Sequence, residues 1–382
     1  MLEEALVLTR RTVLTGAAAG GVASAVAGAV TPELVQAASG DAPQPGREAT
    51  VAGRVEVGRV LARDLRVPWG LAFLPSGDAL VGERISGRVY RVDSRGGRRR
   101  VGELRGVDPD AGEGGLLGIA VAPTFAEDRW VYFYLTTVDD NRIVRKRYVD
   151  GELGRSELIL GGIPRGARTH NGGRLGFGPG GHLFASTGDT RADHLGQTSG
   201  SVAQDWDSLA GKILRLNPDG SVPEGNPKGN YAWTRGHRNV EGITWDGRGR
   251  MWATEFGENT RDELNRIRKG RNYGWPRVEG GDGDGPVKEP FVTWSPTSSC
   301  SPSGVACSGG RAWVAALAGH CLYSVRLNGD HAGRKVRHLH NRFGRIRTVE
   351  KAPDGSLWIM TSNRDGRGDP SANDDRIIRI RV

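Results

Sequence analysis

Two short apolar runs joined by a tight turn recur along this chain at intervals of roughly 50 residues. The turn is of the Pro-x-Gly or Asp-Gly type, and the second run often ends in Thr, Asp or Glu. Short apolar runs bounded by glycine and proline are typical of β-strands joined as hairpins. The six copies occupy residues 69–83, 117–134, 173–189, 241–255, 310–326 and 348–361.

This repeat predicts an all-β fold, a six-bladed β-propeller that spans residues 51–382. One four-stranded blade needs about 40–50 residues and cannot bury both of its faces alone, so the blades must stack in a ring. A β-helix or two stacked sandwiches would not produce a repeated turn and strand signature at this period. We expect a strand at 54–61 to close the ring by joining the last blade, and the long gaps at 189–209 and 273–294 to be loop insertions on one face.

The composition is that of an ordinary globular protein. Of the 382 residues, 37% are hydrophobic and 25% are charged, which is enough for a sizeable core. The 59 glycines suit a fold with many tight turns. The net charge of +9 comes mostly from arginine, and no long basic helix or basic patch interleaved with aromatic residues stands out. We therefore expect no nucleic-acid partner.

The N-terminal segment has the features of an export signal. The pair Arg10-Arg11 precedes a weakly hydrophobic run of small residues at 16–30, an arrangement that resembles a twin-arginine signal. Candidate cleavage sites follow Ala29 or lie near Ala37-Ala38. A membrane span is the alternative, but the run is short and rich in alanine and glycine.

We accordingly expect residues 1–38 to be a twin-arginine-type signal peptide and residues 39–50, which are polar and rich in Pro and Gly, to be a flexible linker. The mature protein is expected to be secreted or extracytoplasmic, either free or associated with the cell surface. No stable membrane insertion is expected after the signal is cleaved.

Charged and polar groups are concentrated between residues 231 and 276. This stretch contains the pair Arg238-Asn239, the turn Glu255–Glu258 and the run Asp262–Asn265, arranged around a short strand at 250–254. Charged groups at the point where a strand runs into a loop favour a functional site, because loops on a rigid scaffold usually carry the chemistry. A set of solvated turns is the alternative interpretation.

Several motifs occur in an order that resembles the soluble pyrroloquinoline quinone (PQQ)-dependent glucose and aldose sugar dehydrogenases, the glucose/sorbosone dehydrogenase family. The resemblance extends from about residue 68 to residue 379. Each motif alone is weak, whereas the whole ordered set is specific. The motifs are Pro68–Phe73, Gly115–Ala120, His170–Leu175, Gly211–Gly220, Gly236–Asn239, Asp262–Asn265, Asn272–Pro276 and Gly344–Arg347.

The resemblance implies a six-bladed propeller that oxidises aldose sugars and passes the electrons to an unidentified acceptor. It implies that His170 is the catalytic base and that Asp189 is the carboxylate beside it. The positions implied to bind PQQ are Arg238, Asn239, Arg345, Arg347 and Glu113. It also implies that the backbone carbonyls of Gly257 and Glu258 bind a calcium ion linked to PQQ, and that Glu263 and the carbonyl of Tyr273 form a second, structural calcium site.

These residue types suit the implied chemistry. A neutral imidazole can accept a hydroxyl proton near pH 7, and a neighbouring carboxylate can orient its ring. PQQ is a planar tricarboxylate, for which planar guanidinium groups are the natural clamp. Arg345 and Arg347 lie two positions apart, so on a strand they would project to the same face. Calcium prefers oxygen ligands and can polarise a quinone carbonyl.

The sequence also departs from the family pattern. Thr169 stands where the glucose-oxidising branch has an aspartate before the histidine, and Glu113 stands where it has a glutamine. A lysine that contacts PQQ in that branch falls near Ala318, where this chain has none. These departures fit the broader aldose branch better than the glucose branch, and loss of a cation predicts weaker PQQ binding.

Two other functions remain open at this stage. One is a propeller without a cofactor that binds glycans or another protein. The other is a calcium-dependent hydrolase of the lactonase type, to which Asn239, Glu113 and Asp189 would contribute ligands. In an exported protein, Cys300 and Cys307 are also compatible with a disulfide, whereas no Cys/His pattern resembles a zinc site.

The export signal leads to a direct prediction. Replacing Arg10 and Arg11 by lysine should retain the protein inside the cell, because the paired guanidinium groups define the twin-arginine signal. Immunoblots of the cell and extracytoplasmic fractions measure this. Unchanged secretion of the double variant would contradict the assignment.

Overall fold

The computed structural model describes residues 55–166, 168–190, 201–281 and 286–382. Within these ranges the chain is a six-bladed β-propeller, as the repeat predicts. The expected signal peptide and linker at residues 1–50 lie outside the described residues. Among the helices of the described part, none is long and apolar enough to cross a membrane.

Each blade is an antiparallel sheet, and in the first five blades the strands follow one another in the chain. The first blade contains β2 (Pro68–Phe73), β3 (Ala79–Glu83), β4 (Arg88–Val92) and β5 (Arg98–Glu103). The second contains β6 (Leu116–Val121), β7 (Trp130–Thr136), β8 (Asn141–Val149) and β10 (Glu157–Ile163), with β9 (Glu152–Leu153) paired to β8. The third contains β11 (Leu175–Phe177), β12 (Leu183–Ser186), β13 (Lys212–Leu216) and β14 (Ala232–Arg235).

The remaining blades follow the same plan. The fourth contains β15 (Val240–Trp245), β16 (Met251–Glu255), β17 (Asp262–Ile267) and β18 (Val292–Trp294). The fifth contains β19 (Pro302–Ser308), β20 (Arg311–Ala316), β21 (Cys321–Arg326) and β22 (Lys335–His338). The sixth contains β23 (Ile346–Lys351), β24 (Leu357–Thr361), β25 (Ile377–Arg381) and β1 (Glu56–Ala62). The helices are short: α1 (Phe125–Asp128), α2 (Ser201–Gln204) and a 3-10 turn at Thr297–Ser299.

The ring closes through the first strand of the described chain. β1 pairs antiparallel with β25, with Val57 opposite Ile380 and Val60 opposite Ile378. This confirms the expectation that an N-terminal strand completes the last blade. The innermost strands, β2, β6, β11, β15, β19 and β23, contact one another in this order, and β23 contacts β2.

Glycines let the innermost strands approach this closely. A Cβ atom added at Gly118 would lie 2.3 Å from the carbonyl oxygen of Gly173 in the next blade. At Gly242 it would lie 2.3 Å from the carbonyl oxygen of Ser303. These distances are far below van der Waals contact, so any side chain at either position would force two blades apart. The glycine that recurs in the first apolar run of the repeat therefore has a packing role.

The fifth copy of the sequence repeat is out of phase with the others. Residues 310–326 form β20 and β21, the second and third strands of their blade, whereas the other copies cover the first and second strands. The innermost strand of this blade is β19, which begins with proline and contains serines and a glycine. These small residues suit the crowded centre of the ring but give little apolar signal in the sequence.

The interpretation of Cys300 and Cys307 as a disulfide pair is wrong. Both are free, as is Cys321. The segment between them is mostly strand β19 and not a loop. At about 3.3 Å per residue, the five residues from 302 to 307 separate the ends by roughly 17 Å, well beyond the ~7 Å Cα separation that a disulfide can span. Cys300 and Cys321 instead lie in a hydrophobic core formed between the fourth and fifth blades.

Candidate functional site

The site residues implied by the sequence converge on one end of the propeller ring. Each of the main contributors either precedes an innermost strand or follows the second strand of a blade. His170 and Asn239 precede β11 and β15, whereas Asp189 follows β12. Because neighbouring strands run antiparallel, these two kinds of connection emerge on the same face of every blade.

His170 and Asp189 form a hydrogen-bonded pair. Nδ1 of His170 lies 2.6 Å from Oδ1 of Asp189, whose residue is fully buried. The indole N–H of Trp275 donates to the other carboxylate oxygen at 2.7 Å. An ionised carboxylate can only accept, so Nδ1 of the neutral imidazole carries the proton and Nε2 carries the lone pair. Trp275 belongs to the 273–294 insertion, which therefore reaches this site.

The backbone at His170 is also held in place. Its φ angle of 57° lies in the left-handed region, and its N–H donates to Oε2 of Glu113 at 3.2 Å. The other oxygen of Glu113 pairs with Nη1 of Arg367 at 2.6 Å. Burial opposes ionisation of Glu113, but the Arg367 guanidinium and His170 together outweigh it and hold the pKa of this carboxyl below its usual range. Glu113 thus links the histidine to a charged group at the rim of the site.

Two arginines share one buried carboxylate. Arg345 donates to Oδ2 of Asp365 from Nε and Nη2, at 3.1 and 3.0 Å, and Nη2 of Arg347 lies 3.4 Å from the same oxygen. Nη1 of Arg347 also donates to Oε2 of Glu241 at 2.5 Å. Burial raises the pKa of Asp365, but Arg347 and then Arg345 outweigh this and hold it below its usual range. The side chains of Arg345 and Arg347 therefore reach the same carboxylate, which agrees with the prediction from their spacing that they lie on one face of the blade.

A third buried guanidinium makes this region strongly positive. Arg84 is 5% exposed, and its Nε has no hydrogen-bond partner among the residues that the structure describes. Burial, and then repulsion by Arg347, lower the pKa of Arg84 to about 10. Arg84 and Arg347 line a cleft of about 270 Å³ together with Glu113, Thr169 and Arg367. Such a surplus of buried positive charge favours an anionic ligand.

Arg238 and Asn239 lie beside the pair of His170 and Asp189, and the N–H of Asp189 donates to the carbonyl of Arg238 at 2.7 Å. The side-chain oxygen of Asn239 accepts the N–H of Gly172 at 3.0 Å, and its Nδ2 lies 3.4 Å from Glu241. The guanidinium of Arg238 lies over the Trp275 ring at 5.3 Å from the centroid. Both residues of the pair are buried and adjoin residues that touch His170 or Asp189.

The turn implied to bind calcium wraps around a carboxylate. Oε1 of Glu279 accepts the N–H groups of residues 258, 259, 260 and 261 at 2.9 to 3.2 Å. In a trans peptide the C=O points opposite to the N–H, so the carbonyls of Gly257 and Glu258 point away from Glu279.

The second implied calcium position contains two buried carboxyl groups on adjacent strands. Glu263 of β17 lies opposite Glu255 of β16. Burial, and then repulsion by Glu255, raise the pKa of Glu263 to about 8. Tyr273 lies nearby, with its ring stacked on His237 at 4.7 Å between centroids, and His237 in turn bonds to Glu255 at 2.8 Å. Among the described residues, no three His, Cys, Asp or Glu side chains converge as a metal cage.

Sequence reasoning missed four members of this site: Arg84, Glu241, Asp365 and Trp275. The sequence does contain a signal for Arg84. It immediately follows Glu83, the charged residue that ends the second apolar run in the first copy of the repeat. Trp275 lies within a motif that the resemblance used. Glu241 carries no local signal, since only the closed ring brings it to Arg347. Asp365 lies beside the arginines because β23 pairs with β24, but a single aspartate in a polar loop carries little information.

Comparisons with known proteins agree with this geometry. The family model for glucose/sorbosone dehydrogenase matches residues 65–378. The PQQ-bound structure of an aldose sugar dehydrogenase from Streptomyces coelicolor is 45% identical, with a TM-score of 0.80, and the alignment covers 85% of this chain and 97% of that one.

Two curated relatives have related names. An aldose sugar dehydrogenase from Escherichia coli K12 is 29% identical over 80% of this chain and 90% of its own length. Quinoprotein glucose dehydrogenase B from Acinetobacter calcoaceticus is 31% identical over 58% of this chain and 52% of its own. On the strength of the family match, which covers nearly all of the described propeller, the chain belongs to the glucose/sorbosone dehydrogenase family.

Proposed function

We propose that this protein oxidises the C1 hydroxyl of aldose sugars to the lactone, with PQQ as cofactor, calcium beside it and His170 as the base. The observation that carries the proposal is the 2.6 Å contact between Nδ1 of His170 and Asp189 beside a cluster of buried arginines. The Streptomyces coelicolor relative, which is solved with PQQ bound, supports the choice of cofactor.

The arginine cluster suits a polycarboxylate. Within the described part of the chain, Arg84 and Arg347 each have a buried Nε without a hydrogen-bond partner. Hydrogen bonds between guanidinium and carboxylate are among the strongest in proteins, and a buried donor without a partner is costly. Arg345, Arg347 and Arg84 would hold the carboxylates of PQQ, with Arg238 and Asn239 on the side nearer His170. These arginines also offset the absence of a lysine near Ala318.

His170 would accept the proton of the sugar C1 hydroxyl. Because Nδ1 donates to Asp189, the lone pair of Nε2 is available, and none of the described residues hydrogen-bonds to that nitrogen. As the proton arrives, the negative charge of Asp189 stabilises the imidazolium. The Trp275 N–H prevents the carboxylate from rotating away. When bound, PQQ supplies the acceptor for the hydride that leaves C1.

Glu113 was implied to contact the cofactor, and it lines the cleft with Arg84 and Arg347. Its hydrogen bond to the His170 N–H suggests that it also positions the base. A carboxylate here, in place of glutamine, is tolerated because Arg367 supplies the countercharge. Glu113 therefore has a place in the proposed site even though it departs from the glucose-oxidising branch.

Calcium would occupy the positions at Gly257, Glu258, Glu263 and Tyr273. The outward carbonyls of the 257–258 turn are suitable hard ligands. The raised pKa of Glu263 indicates a buried carboxyl that lacks a countercharge, which a divalent cation would supply. When bound, calcium supplies a Lewis acid next to the cofactor.

The proposal includes export through the twin-arginine signal at residues 1–38 and an electron acceptor outside the cytoplasm that is not yet identified. In a binding module without a cofactor, or in a calcium-dependent lactonase, the buried arginines would have no anionic ligand to bind. For this reason we place the dehydrogenase ahead of both.

The roles of His170 and Arg345 can be separated by mutation. His170→Ala should bind PQQ nearly as well as the wild type but lose about 10²–10⁴ in turnover, because it removes only the base. Arg345→Ala should first weaken PQQ binding about 10- to 100-fold, because it removes charge-assisted hydrogen bonds. PQQ binding is measured by calorimetry and turnover by sugar-dependent dye reduction.

His170→Asn is the control for backbone strain, since asparagine tolerates the left-handed conformation found at residue 170. It should be as inactive as His170→Ala. Full dye reduction by either His170 variant would refute the assignment of the base. Calcium-dependent lactone hydrolysis without PQQ would instead identify a hydrolase.

Calcium binding predicts a thermal shift without PQQ. Calcium at 100 times its Kd should stabilise the wild type by about 2.7 kcal/mol, and Glu263→Gln should lose most of this gain. Glu258→Gln should keep it, because Glu258 is proposed to act through its backbone carbonyl. Identical melting curves of the wild type in EGTA and in calcium would show that neither site binds the ion.

A further inference from the structure

A second pocket lies on the opposite end of the propeller from His170. It is a groove of about 350 Å³ between the third and fourth blades. Its walls come from the turn that joins β11 to β12, the end of β15 and the end of β17, including Gly178, Trp245 and Arg266. In antiparallel blades these positions face away from the connections that carry the active site. The groove is therefore a separate surface.

The groove is lined by positive charge. Arg215, Arg250, Arg266, Arg268 and Lys269 line it, and none of the Asp or Glu residues in the described ranges does. Arg250 is paired with Asp246 at 2.6 Å, and Arg215 donates to Asn226 at 3.0 Å. Within the described ranges, Arg266, Arg268 and Lys269 form no ion pair. Burial, and then the neighbouring Arg268 and Arg250, lower the pKa of Arg266, so the guanidinium groups crowd one another.

Two half-buried tryptophans form the apolar part of the groove. Trp233 and Trp245 both pack against the buried Phe184, at 5.8 and 5.4 Å between ring centroids. A Cβ at Gly176 would lie 2.9 Å from the Trp245 ring, so this glycine leaves room for the indole. The two rings are thus fixed in place. Neither indole N–H donates to a partner in the part of the chain that the structure describes.

The hydrogen-bond donors that line the groove determine which ligands it can bind. Arginine, lysine and the indole N–H are donors only, so a complementary ligand must be rich in acceptors and negatively charged. A volume of about 350 Å³ accommodates one or two rings. Grooves for single-stranded nucleic acid instead follow about four or more nucleotides. A short, donor-rich pocket with an aromatic wall favours a sugar ring that carries carboxylates.

We propose that this groove binds acidic saccharides, with a uronate ring against Trp233 and Trp245 and its carboxylate held by Arg266 and Lys269. The sequence gives no sign of such a patch, because its members come from segments spread over residues 178–269. The site is independent of the cofactor, so it can fail while the proposed dehydrogenase function stands.

Calorimetry with digalacturonate tests this, using purified protein with EDTA and without PQQ. Binding should weaken as salt is raised. Arg266→Gln and Lys269→Gln should each weaken it about tenfold, because each removes one charge-assisted contact. Arg155→Gln is the matched control, since it removes an equal charge from an exposed position in the second blade and should leave binding unchanged. All three variants should retain PQQ-dependent dye reduction.

Three results would overturn the proposal. Digalacturonate binding that is absent, or equal in the wild type and both groove variants, would show that the groove is not the site. Equal affinity for the neutral disaccharide galactobiose would show that the arginine and lysine charges of the groove do not contribute to binding. Binding of a thymidine tetranucleotide without binding of digalacturonate would identify a nucleic-acid groove instead.

Discussion

The buried guanidinium of Arg174 connects four blades at the centre of the ring. Its Nε donates to the carbonyl of Glu241 at 2.8 Å, its Nη2 lies 3.4 Å from Oγ1 of Thr348, and it stacks over the Trp69 ring at 4.0 Å. Thr348 in turn donates to the carbonyl of Trp69 at 2.7 Å. Burial lowers the pKa of Arg174 to about 10, which shows the cost of desolvating this charge. The contacts fix the innermost strands from which the candidate site is built.

The site next to this centre holds more buried positive charge than its own carboxylates neutralise. Asp365 pairs with Arg345 and Arg347, and Glu241 pairs with Arg347. The Nε–H groups of Arg84 and Arg347 have no hydrogen-bond partner among the described residues. Water cannot fully solvate these groups, so an anionic cofactor would relieve their mutual repulsion. Under the proposed function, the same surplus would offset the absence of a lysine near Ala318. By contrast, His170, the proposed base, is held by two contacts, one with Asp189 and one with Glu113.

The propeller was predictable from sequence because each blade repeats a local pattern of strand, turn and strand. The exception, the fifth blade, begins with a strand of small residues that leave no apolar run. His170, Arg345 and Arg347 were found through a resemblance, since a lone histidine or an Arg-x-Arg pair carries little information. Asp365 was missed because a single aspartate in a polar loop carries little information, although a hairpin places it beside the arginines. The basic groove was missed because its residues come from separate segments. The interpretation of Cys300 and Cys307 as a disulfide pair was wrong, because most of the residues between them form a strand that holds them apart.

The absorbance spectrum of the purified protein tests the central claim most directly. PQQ and calcium are added first, and an aldose is added next in the absence of any electron acceptor. The account predicts that PQQ binds in the arginine cluster, and that the sugar then converts the spectrum of the oxidised quinone into that of the reduced cofactor. A spectrum that shows bound PQQ but does not change with any aldose, or no binding of PQQ at all, would contradict it.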